Sequence, residues 1–131
     1  MLPGAGIGDR IGEPWPLLRK SEAGRIVNLS SGLGSLTQNS DPGWMFAGVK
    51  PLAYNSSKAA LNMITVIFAD ELKDAGVKVN AADPGFTATD LNQHRGTRTV
   101  EQGATVAVRL ATLPADGPTG GYFDEDGVVP W

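Results

Sequence analysis

The chain has 131 residues, which suffice for one domain with a modest hydrophobic core but not for two ordinary domains. Eleven basic and fourteen acidic side chains give a formal net charge of −3, so the composition provides no general attraction to nucleic acid or anionic membranes. The absence of cysteine excludes disulfides and thiolate metal sites. No apolar run approaches the roughly 18 residues of a membrane span, and the opening residues lack the pattern of a secretory signal, so we expect a cytoplasmic protein.

Residues 1–14 are rich in glycine but do not match a phosphate-binding loop. Such a loop needs a strand before it and a helix after it, whereas only Met1 and Leu2 precede these glycines and two prolines soon follow. The G-x-G-x-x-G spacing also fails, because Asp9 takes a position that requires glycine. We predict a flexible arm over residues 1–14 and a single domain over residues 15–131.

Three short apolar segments bounded by turn residues predict β-strands, at residues 25–30, 77–82 and 119–123. A short helix over residues 15–20, ending in two basic side chains, is expected before the first strand. The first two strands flank a long helical pattern and therefore form a βαβ unit, in which the strands are parallel and the crossover is right-handed. The pattern predicts an α/β fold.

The longest helix is predicted over residues 57–75 and ends at Gly76. Its apolar side chains recur at steps of three and four, and further apolar side chains widen the stripe. The members of this stripe are Ala60, Leu61, Met63, Ile64, Ile67, Phe68 and Leu72. A stripe this broad indicates burial on more than one side, by the sheet and by a partner subunit.

A second helix is predicted to follow Thr97 or Thr99, either of which can cap its start, and to end at Leu113-Pro114. Glu101 lies near its first turn, where a negative charge is favourable. The side chains predicted to point inward are Ala104, Val108 and Ala111.

Tyr54 and Lys58 lie four positions apart at the head of the long helix, which places them on one helix face. A nearby cation and the positive end of the helix dipole both favour the phenolate form of a tyrosine. Such a pair can act as an acid or base toward a carbonyl oxygen. The same spacing also occurs by chance on helix surfaces, so it acquires meaning only from its context.

Residues 32–53 are predicted to form a long irregular segment that carries an apolar cluster, Trp44-Met45-Phe46. A loop of this length in a compact domain is more often functional than idle. The alternative is that the three side chains only pin the loop to the body of the domain.

Three motifs stand near the carboxyl ends of predicted strands or the starts of the following helices: Asn28-Leu29-Ser30-Ser31-Gly32, Tyr54-x-x-x-Lys58 and Asn80-x-x-x-Pro84-Gly85-x-x-x-Thr89. Together they resemble the short-chain dehydrogenase/reductase family, most closely its carbonyl-reductase-like members, from about Leu17 to Gly127. The resemblance implies part of a Rossmann-like doubly wound parallel sheet, about three strands with flanking helices. It also implies an NAD(P)(H)-dependent oxidoreductase that interconverts a carbonyl and an alcohol.

The resemblance assigns catalytic roles to Ser31, Tyr54 and Lys58. Tyr54 would be the general acid in reduction or the base in oxidation. Lys58 would favour its ionisation and hold the ribose hydroxyls of NADP(H) or NAD(H). Ser31 would polarise the substrate oxygen, with Ser30 as the less favoured candidate.

The resemblance also assigns coenzyme contacts after the second strand. Pro84 and Gly85 would form a wall for the nicotinamide, with the Thr87 backbone and the Thr89 side chain near the carboxamide or the phosphates. The 23 positions between Ser31 and Tyr54 are more than the family usually has, so the cluster at Trp44–Phe46 would edge the pocket of an apolar substrate.

The segment from Asn92 to Arg98 falls where the family keeps its substrate lid. His94, Arg95 and Arg98 would contact an anionic ligand there, or else belong to a solvated loop, which is the commoner case. The acidic turn at Asp124–Asp126 has too few well-spaced ligands for a metal site.

The first, nucleotide-binding half of the family's fold has no counterpart in this sequence, so the chain reads as the C-terminal half. An unpaired outer edge on the 25–29 strand, or the broad face of the 57–75 helix, would then favour a homo-oligomer. A different interpretation is a non-catalytic remnant that serves as a dimerisation or complementation module. A third is that translation begins upstream of Met1.

Overall fold

The computed structural model describes residues 14–131. The helices are α1 at Pro14–Lys20, α2 at Leu36–Ser40, α3 at Leu52–Leu72 and α4 at Val100–Ala111, and short 3-10 turns occupy Gly32–Gly34, Lys73–Ala75 and Asp90–Asn92. The strands are β1 at Arg25–Leu29, β2 at Lys78–Ala82 and β3 at Tyr122–Phe123. The arm predicted for residues 1–14 lies outside the described residues, apart from Pro14 at the start of α1.

The three strands form one parallel sheet in the order β1-β2-β3. Val27 pairs with Asn80, and Ala82 pairs with Phe123, so the carboxyl ends of all three strands reach the same edge. The backbone ladder continues past this edge through Ser30 N–H to Ala82 O at 2.7 Å. This architecture confirms the predicted α/β fold with three parallel strands.

Helix α3 connects β1 to β2 and packs on the sheet through its carboxyl-terminal half. Phe68, Ala69 and Leu72 are buried with Val77 and Val79 in one core cluster. Burial of such side chains contributes roughly 1.5–3 kcal/mol each. The helix continues through a 3-10 turn to Gly76, whose φ of +70° gives the left-handed ending predicted for this position.

The middle of α3, residues 62–67, differs from the predicted stripe. Phe68 and Leu72 are buried as expected, but Met63, Ile64 and Ile67 are exposed. The buried positions are instead Asn62 and Thr65, because their hydrogen bonds to Ser30, just after β1, and to Asn28 in β1 hold this polar face against the sheet. An apolar face of α3 therefore points away from the sheet.

Helix α4 begins with the predicted cap at Thr99, which exchanges hydrogen bonds with Gln102. Its predicted inward face is wrong, because all three of its members are exposed: Ala104, Val108 and Ala111. The buried residues are Gly103, Val106 and Leu110. The close approach of Gly103 to Thr87 determines which face of α4 is buried, since a Cβ at position 103 would overlap the Thr87 side chain.

The segment predicted as irregular at residues 32–53 contains a 3-10 turn and the short helix α2. Ser35 caps α2 by accepting Gln38 N–H, and its hydroxyl donates to Pro130 O at 2.6 Å. Turns without regular structure occupy only its later part, up to Pro51. No helix within residues 14–131 is long and apolar enough to cross a membrane.

Candidate active site

Three loops leave the sheet at its carboxyl edge, where residues 30, 83 and 124 follow the three strands. Asp83 N–H donates to Phe123 O at 2.8 Å, so the loop after β2 starts against the end of β3. Ligands of open parallel sheets bind at this edge. The residues that follow the strands are therefore candidates for ligand binding and catalysis.

Ser31 and Ser30 face different surroundings. Ser31 is half-buried and caps the following 3-10 turn, with its Oγ accepting Leu33 N–H at 3.2 Å. Its O–H donates to no other group within residues 14–131. Ser30 is buried, and its O–H donates to Asn62 Oδ1 at 2.5 Å. Ser31 thus keeps a donor for a ligand, whereas the donor of Ser30 is already used.

The turn that carries Ser31 lies directly on α3 through Gly34. A Cβ built at Gly34 would be 2.6 Å from Lys58 Cβ and 2.8 Å from the Lys58 carbonyl carbon. Real Cβ atoms do not approach other atoms this closely, so only glycine permits the contact. Gly34 brings the serine turn onto the helix that carries Tyr54 and Lys58.

Tyr54 and Lys58 occupy the first two turns of α3, which starts earlier than predicted, at Leu52. The Lys58 ammonium lies 5.7 Å from the centre of the Tyr54 ring and donates to Leu29 O at 2.9 Å. Lys58 is thereby held between β1 and Tyr54. The Tyr54 hydroxyl forms no hydrogen bond to the described part of the chain.

The loop after β2 turns sharply at Gly85, whose φ of +71° favours glycine. The Thr87 hydroxyl donates to Pro84 O at 3.1 Å and braces this turn. At the next 3-10 turn, the Thr89 backbone N–H donates to Asn92 Oδ1 at 3.2 Å, and the Asn92 backbone N–H donates to Thr89 O at 3.1 Å. Pro84 and Gly85 therefore present a fixed surface, and the Thr89 backbone is held within its own turn.

Asp83 is a site residue that the sequence indicated only as part of a turn. Its Oδ1 accepts Gly85 N–H at 2.9 Å, and its Oδ2 lies 3.1 Å from the position of a Cβ at Gly32. Burial raises the pKa of this carboxyl, and the nearby Asp124 carboxylate adds to the rise. The N–H groups of Gly85 and Gly32 oppose it. A half-buried carboxyl thus links the loops after β1 and β2.

An aromatic cluster, Trp44, Phe46 and Phe86, borders the same loops. The Trp44 ring lies against Gly32, 3.2 Å from the position of a Cβ there, and meets Phe46 edge-on with centroids 5.5 Å apart. Phe46 in turn meets Phe86 at 6.2 Å, just after Gly85. Met45 points away and is 83% exposed. The segment before α3 therefore reaches both sides of the candidate site.

Tyr122 lies beneath the site, buried and stacked on Trp131 with centroids 5.3 Å apart. Burial raises its pKa far above the ordinary value, and the Asp83 carboxylate adds to the rise. The Ser30 hydroxyl is close enough to oppose this slightly, but no hydrogen bond of good geometry joins it to the Tyr122 hydroxyl. Tyr122 is therefore a neutral phenol at physiological pH.

The basic side chains of the predicted lid are largely engaged by neighbours. His94 pairs with Asp90 at 2.8 Å, and Arg98 forms an ion pair with Glu125 in the acidic turn after β3. Arg98 also donates to Gln102 O at 3.0 Å. Within residues 14–131 no cluster of three or more His, Asp and Glu side chains is arranged to hold a metal ion.

Comparison with known proteins decides the family. The family model described as short chain dehydrogenase matches residues 12–100, more than half of the chain. The chain belongs to the short-chain dehydrogenase/reductase family. This finding confirms the resemblance that the sequence motifs indicated.

Two plant members of the family illustrate the extent of the likeness. Salutaridine reductase of Papaver somniferum is 32% identical over 145 aligned positions, which span 83% of this chain and 45% of the relative. Short-chain dehydrogenase/reductase 1 of Saponaria officinalis is 32% identical and is matched over 88% of this chain and 49% of the relative. This chain therefore spans about half the length of these relatives.

Solved structures of the family superpose on this fold. The NADPH-bound carbonyl reductase from chicken fatty liver has a TM-score of 0.71 and 25% identity, with 88% of this chain and 47% of that chain covered. The carbonyl reductase Sniffer of D. melanogaster has a TM-score of 0.69 and 26% identity over 88% of this chain and 49% of that chain. The sheet described here corresponds to part of the Rossmann-like fold of this family.

The donor groups at the edge of the sheet fit one part of a nicotinamide coenzyme. An ammonium has three N–H donors, and Lys58 uses one of them within the described part of the chain, which leaves two for ribose hydroxyls. Pro84 offers a flat apolar surface beside the fixed Gly85 turn. Within residues 14–131 no strand leads through a glycine-rich turn into a long helix that would cradle a pyrophosphate.

Proposed function

We propose that this chain carries the proton-transfer site of an NAD(P)(H)-dependent oxidoreductase that interconverts a carbonyl and an alcohol. The observation that carries the proposal is the convergence of Ser31, Tyr54 and Lys58 at one edge of the sheet, where Gly34 packs the serine turn onto α3. The family supports the reaction class, since its members named above include reductases.

Each side chain has an unused group suited to its step. The Ser31 O–H can donate to the substrate oxygen and polarise the carbonyl. The Tyr54 O–H can then deliver its proton to that oxygen as negative charge develops there. The Lys58 ammonium, fixed on Leu29 O beside the ring, stabilises the phenolate that remains.

A bound nicotinamide coenzyme would supply the hydride, and the roles proposed for this chain are orientation and exclusion of water. Lys58 would hold the ribose hydroxyls with its two remaining donors. Pro84 and Gly85 would back the nicotinamide, with Thr87 bracing their turn and Thr89 at the far end of the same loop. The NADPH-bound carbonyl reductase makes NADP(H) the first coenzyme to test, with NAD(H) beside it.

The aromatic cluster supports a substrate with apolar surface. Trp44 and Phe46 come from the segment before α3, and Phe86 follows the Gly85 turn, so the three rings border the place where the substrate carbonyl would lie. Aromatic rings offer a large apolar area with little conformational entropy to lose. This placement favours a functional role for the cluster over simple attachment of the loop.

The test is coenzyme binding followed by turnover. The full chain is titrated with NADPH and separately with NADH while nicotinamide fluorescence is followed, and then supplied with apolar ketones. We expect saturable binding and carbonyl reduction, with Ser31→Ala lowering kcat by about 10²-fold or more. Absence of binding at millimolar concentrations of both coenzymes would contradict the proposal and favour the non-catalytic interpretation.

A further inference from the structure

Helix α3 is joined by three polar contacts to three successive residues, the last two of β1 and the one that follows it. Asn28 Nδ2 donates to Thr65 Oγ1 at 2.9 Å, Lys58 Nζ donates to Leu29 O at 2.9 Å, and Ser30 Oγ donates to Asn62 Oδ1 at 2.5 Å. On the helix, Lys58, Asn62 and Thr65 are spaced by four and three residues and share one face. Polar contacts therefore hold the stretch of α3 from Lys58 to Thr65, which begins at the candidate site.

These contacts lie where apolar packing would be expected. Ser30, Asn62 and Thr65 are 3%, 5% and 0% exposed. Apolar surfaces tolerate small sliding movements, whereas a buried hydrogen bond is lost when its atoms separate and leaves polar groups unpaired. The carboxyl-terminal half of the helix uses Phe68 and Leu72 instead. The stretch of α3 from Lys58 to Thr65 is thus held in one position along β1.

Asn62 is poorly suited to a purely stabilising role. Its Oδ1 accepts from Ser30, but its Nδ2 is buried and has no hydrogen-bond partner within the described residues. An unpaired buried amide destabilises a fold, and an apolar side chain of similar volume would remove that penalty. Beside Asn62 an apolar pocket lined by Ala59, Met63 and Val66 has room for such a side chain.

The bond from Ser30 to Asn62 connects the two parts of the candidate site. Ser30 directly precedes Ser31, and Asn62 lies one turn beyond Lys58 and two turns beyond Tyr54 on the same helix. A slide of α3 along β1 would therefore change the separation between the serine turn and the Tyr54 hydroxyl. A misplacement of about 1 Å can reduce a catalysed rate by about 10²-fold.

We propose that Asn62 is a positioning residue, which fixes α3 against β1 through Ser30 and thereby sets Tyr54 and Lys58 relative to Ser31. The proposal rests on the proposed function and goes beyond it, because Asn62 touches neither substrate nor coenzyme in this account. Its role requires only that the Ser30 bond forms.

The experiment compares Asn62→Leu with the parent chain in kcat, coenzyme KM and thermal unfolding. We expect Asn62→Leu to lower kcat by about ten-fold or more while the coenzyme KM changes by less than about three-fold. Its unfolding temperature should stay close to that of the parent, because removal of the unpaired Asn62 Nδ2 offsets the loss of the Ser30 hydrogen bond. A merely structural role would instead lower the unfolding temperature, and a kcat within about two-fold of the parent would overturn the proposal.

Two further variants sharpen the comparison. Ser30→Ala removes the same hydrogen bond from the strand side, so the double variant with Asn62→Leu should lose no more activity than either single variant. Thr65→Val removes the matched contact one turn further along α3, and its kcat should fall by less than about three-fold. Additive losses in the double variant would contradict a shared role for Ser30 and Asn62.

A structural measurement separates this proposal from the proposed function. In a crystal structure of Asn62→Leu, we expect the Lys58 Nζ to Leu29 O distance to exceed about 3.5 Å, the limit of a hydrogen bond. An unchanged distance would overturn the positioning role. If the parent chain reduces no carbonyl, the proposed function fails, and this distance still decides the role of Asn62.

Discussion

Gly34 lies so close to Lys58 that the serine turn and the helix of the candidate site share one contact surface. A methyl group at position 34 would come within 2.6 Å of Lys58 Cβ and 2.8 Å of its carbonyl carbon. Because the obstructing atoms include helix backbone, they cannot move aside without shifting α3. This contact, together with the Lys58 bond to Leu29 O, builds the site from two separate elements.

Gly34→Ala should therefore destabilise the fold and displace the serine turn. We expect a loss of about 1–3 kcal/mol in the free energy of unfolding, as for other overpacked contacts, measured by urea denaturation. Gly48→Ala is the matched control, since a Cβ there meets nothing within 4 Å, and its effect should stay within about 0.5 kcal/mol. Equal stability of the two variants would show that there is room for a methyl group between position 34 and Lys58.

The buried phenol of Tyr122 should make stability fall in alkaline solution. Because its folded-state pKa is raised, its contribution to stability is fully present below about pH 10, the ordinary value for tyrosine, and is lost as the pH rises further. Tyr122→Phe should remove this part of the decline, in urea denaturation series from neutral to alkaline pH. It should keep the stability of the parent at neutral pH, because the hydroxyl has no hydrogen-bond partner within the described residues.

A spectroscopic control isolates the same group. The sequence contains two tyrosines, so Tyr54→Phe leaves Tyr122 as the single phenol. Its phenolate absorbance should appear only together with alkaline unfolding. Ionisation near the ordinary tyrosine value in the folded protein would contradict the burial of Tyr122.

The Asp83 carboxyl should make the stability of the fold depend on pH in the acidic range. Its raised folded-state pKa means that its contribution to stability is greatest below the ordinary aspartate value of about 3.9 and is lost as the pH rises through the folded value. The parent should therefore lose stability relative to Asp83→Asn as the pH rises from acid to neutral. Parallel stability curves for the two proteins across that range would refute the raised pKa.

The apolar face of α3 should promote self-association. Met63 is 60% exposed, and Ile64, Val66 and Ile67 on the same helix are also exposed. Analytical ultracentrifugation at micromolar concentration should show species larger than a monomer, and Met63→Glu combined with Ile67→Lys should dissociate them. A stable, cooperatively folding monomer in the parent would contradict this expectation.

A second outcome distinguishes the two surfaces proposed for association. The outer edge of β1 pairs with no strand among residues 14–131, so it can also accept a neighbouring strand. If the charged α3 variant still associates, the edge of β1 becomes the favoured surface.

The sequence predicted that β1 and β2 are parallel, because their apolar segments are short, bounded by turns and joined by one long helix. It also predicted the Tyr54 and Lys58 pair, since spacing alone places residues four apart on one helix face. The apolar periodicity gave the wrong buried face where polar side chains are buried and apolar side chains are exposed. Asn62 and Thr65 look like breaks in an apolar stripe, yet they form the buried face in the middle of α3.

In helix α4, the sequence pattern likewise did not predict that a glycine is buried. A glycine inside a helical pattern reads as a weakness, whereas Gly103 is buried because the Thr87 side chain occupies the space of its Cβ. Asp83 likewise reads as a turn residue before Pro84, and only the fold brings Gly32 against its carboxyl group. Contacts between distant segments decide these roles, and a single sequence does not contain them.

The rate of carbonyl reduction with and without the Tyr54 hydroxyl shows whether Tyr54 is the proton donor of the reaction. Tyr54→Phe keeps the ring beside Lys58 and removes only the proton donor, so coenzyme binding by nicotinamide fluorescence should match the parent. We expect its single-turnover reduction rate to fall by about 10²–10⁴-fold, the usual contribution of a general acid. A Tyr54→Phe rate equal to that of an active parent would contradict this role of Tyr54.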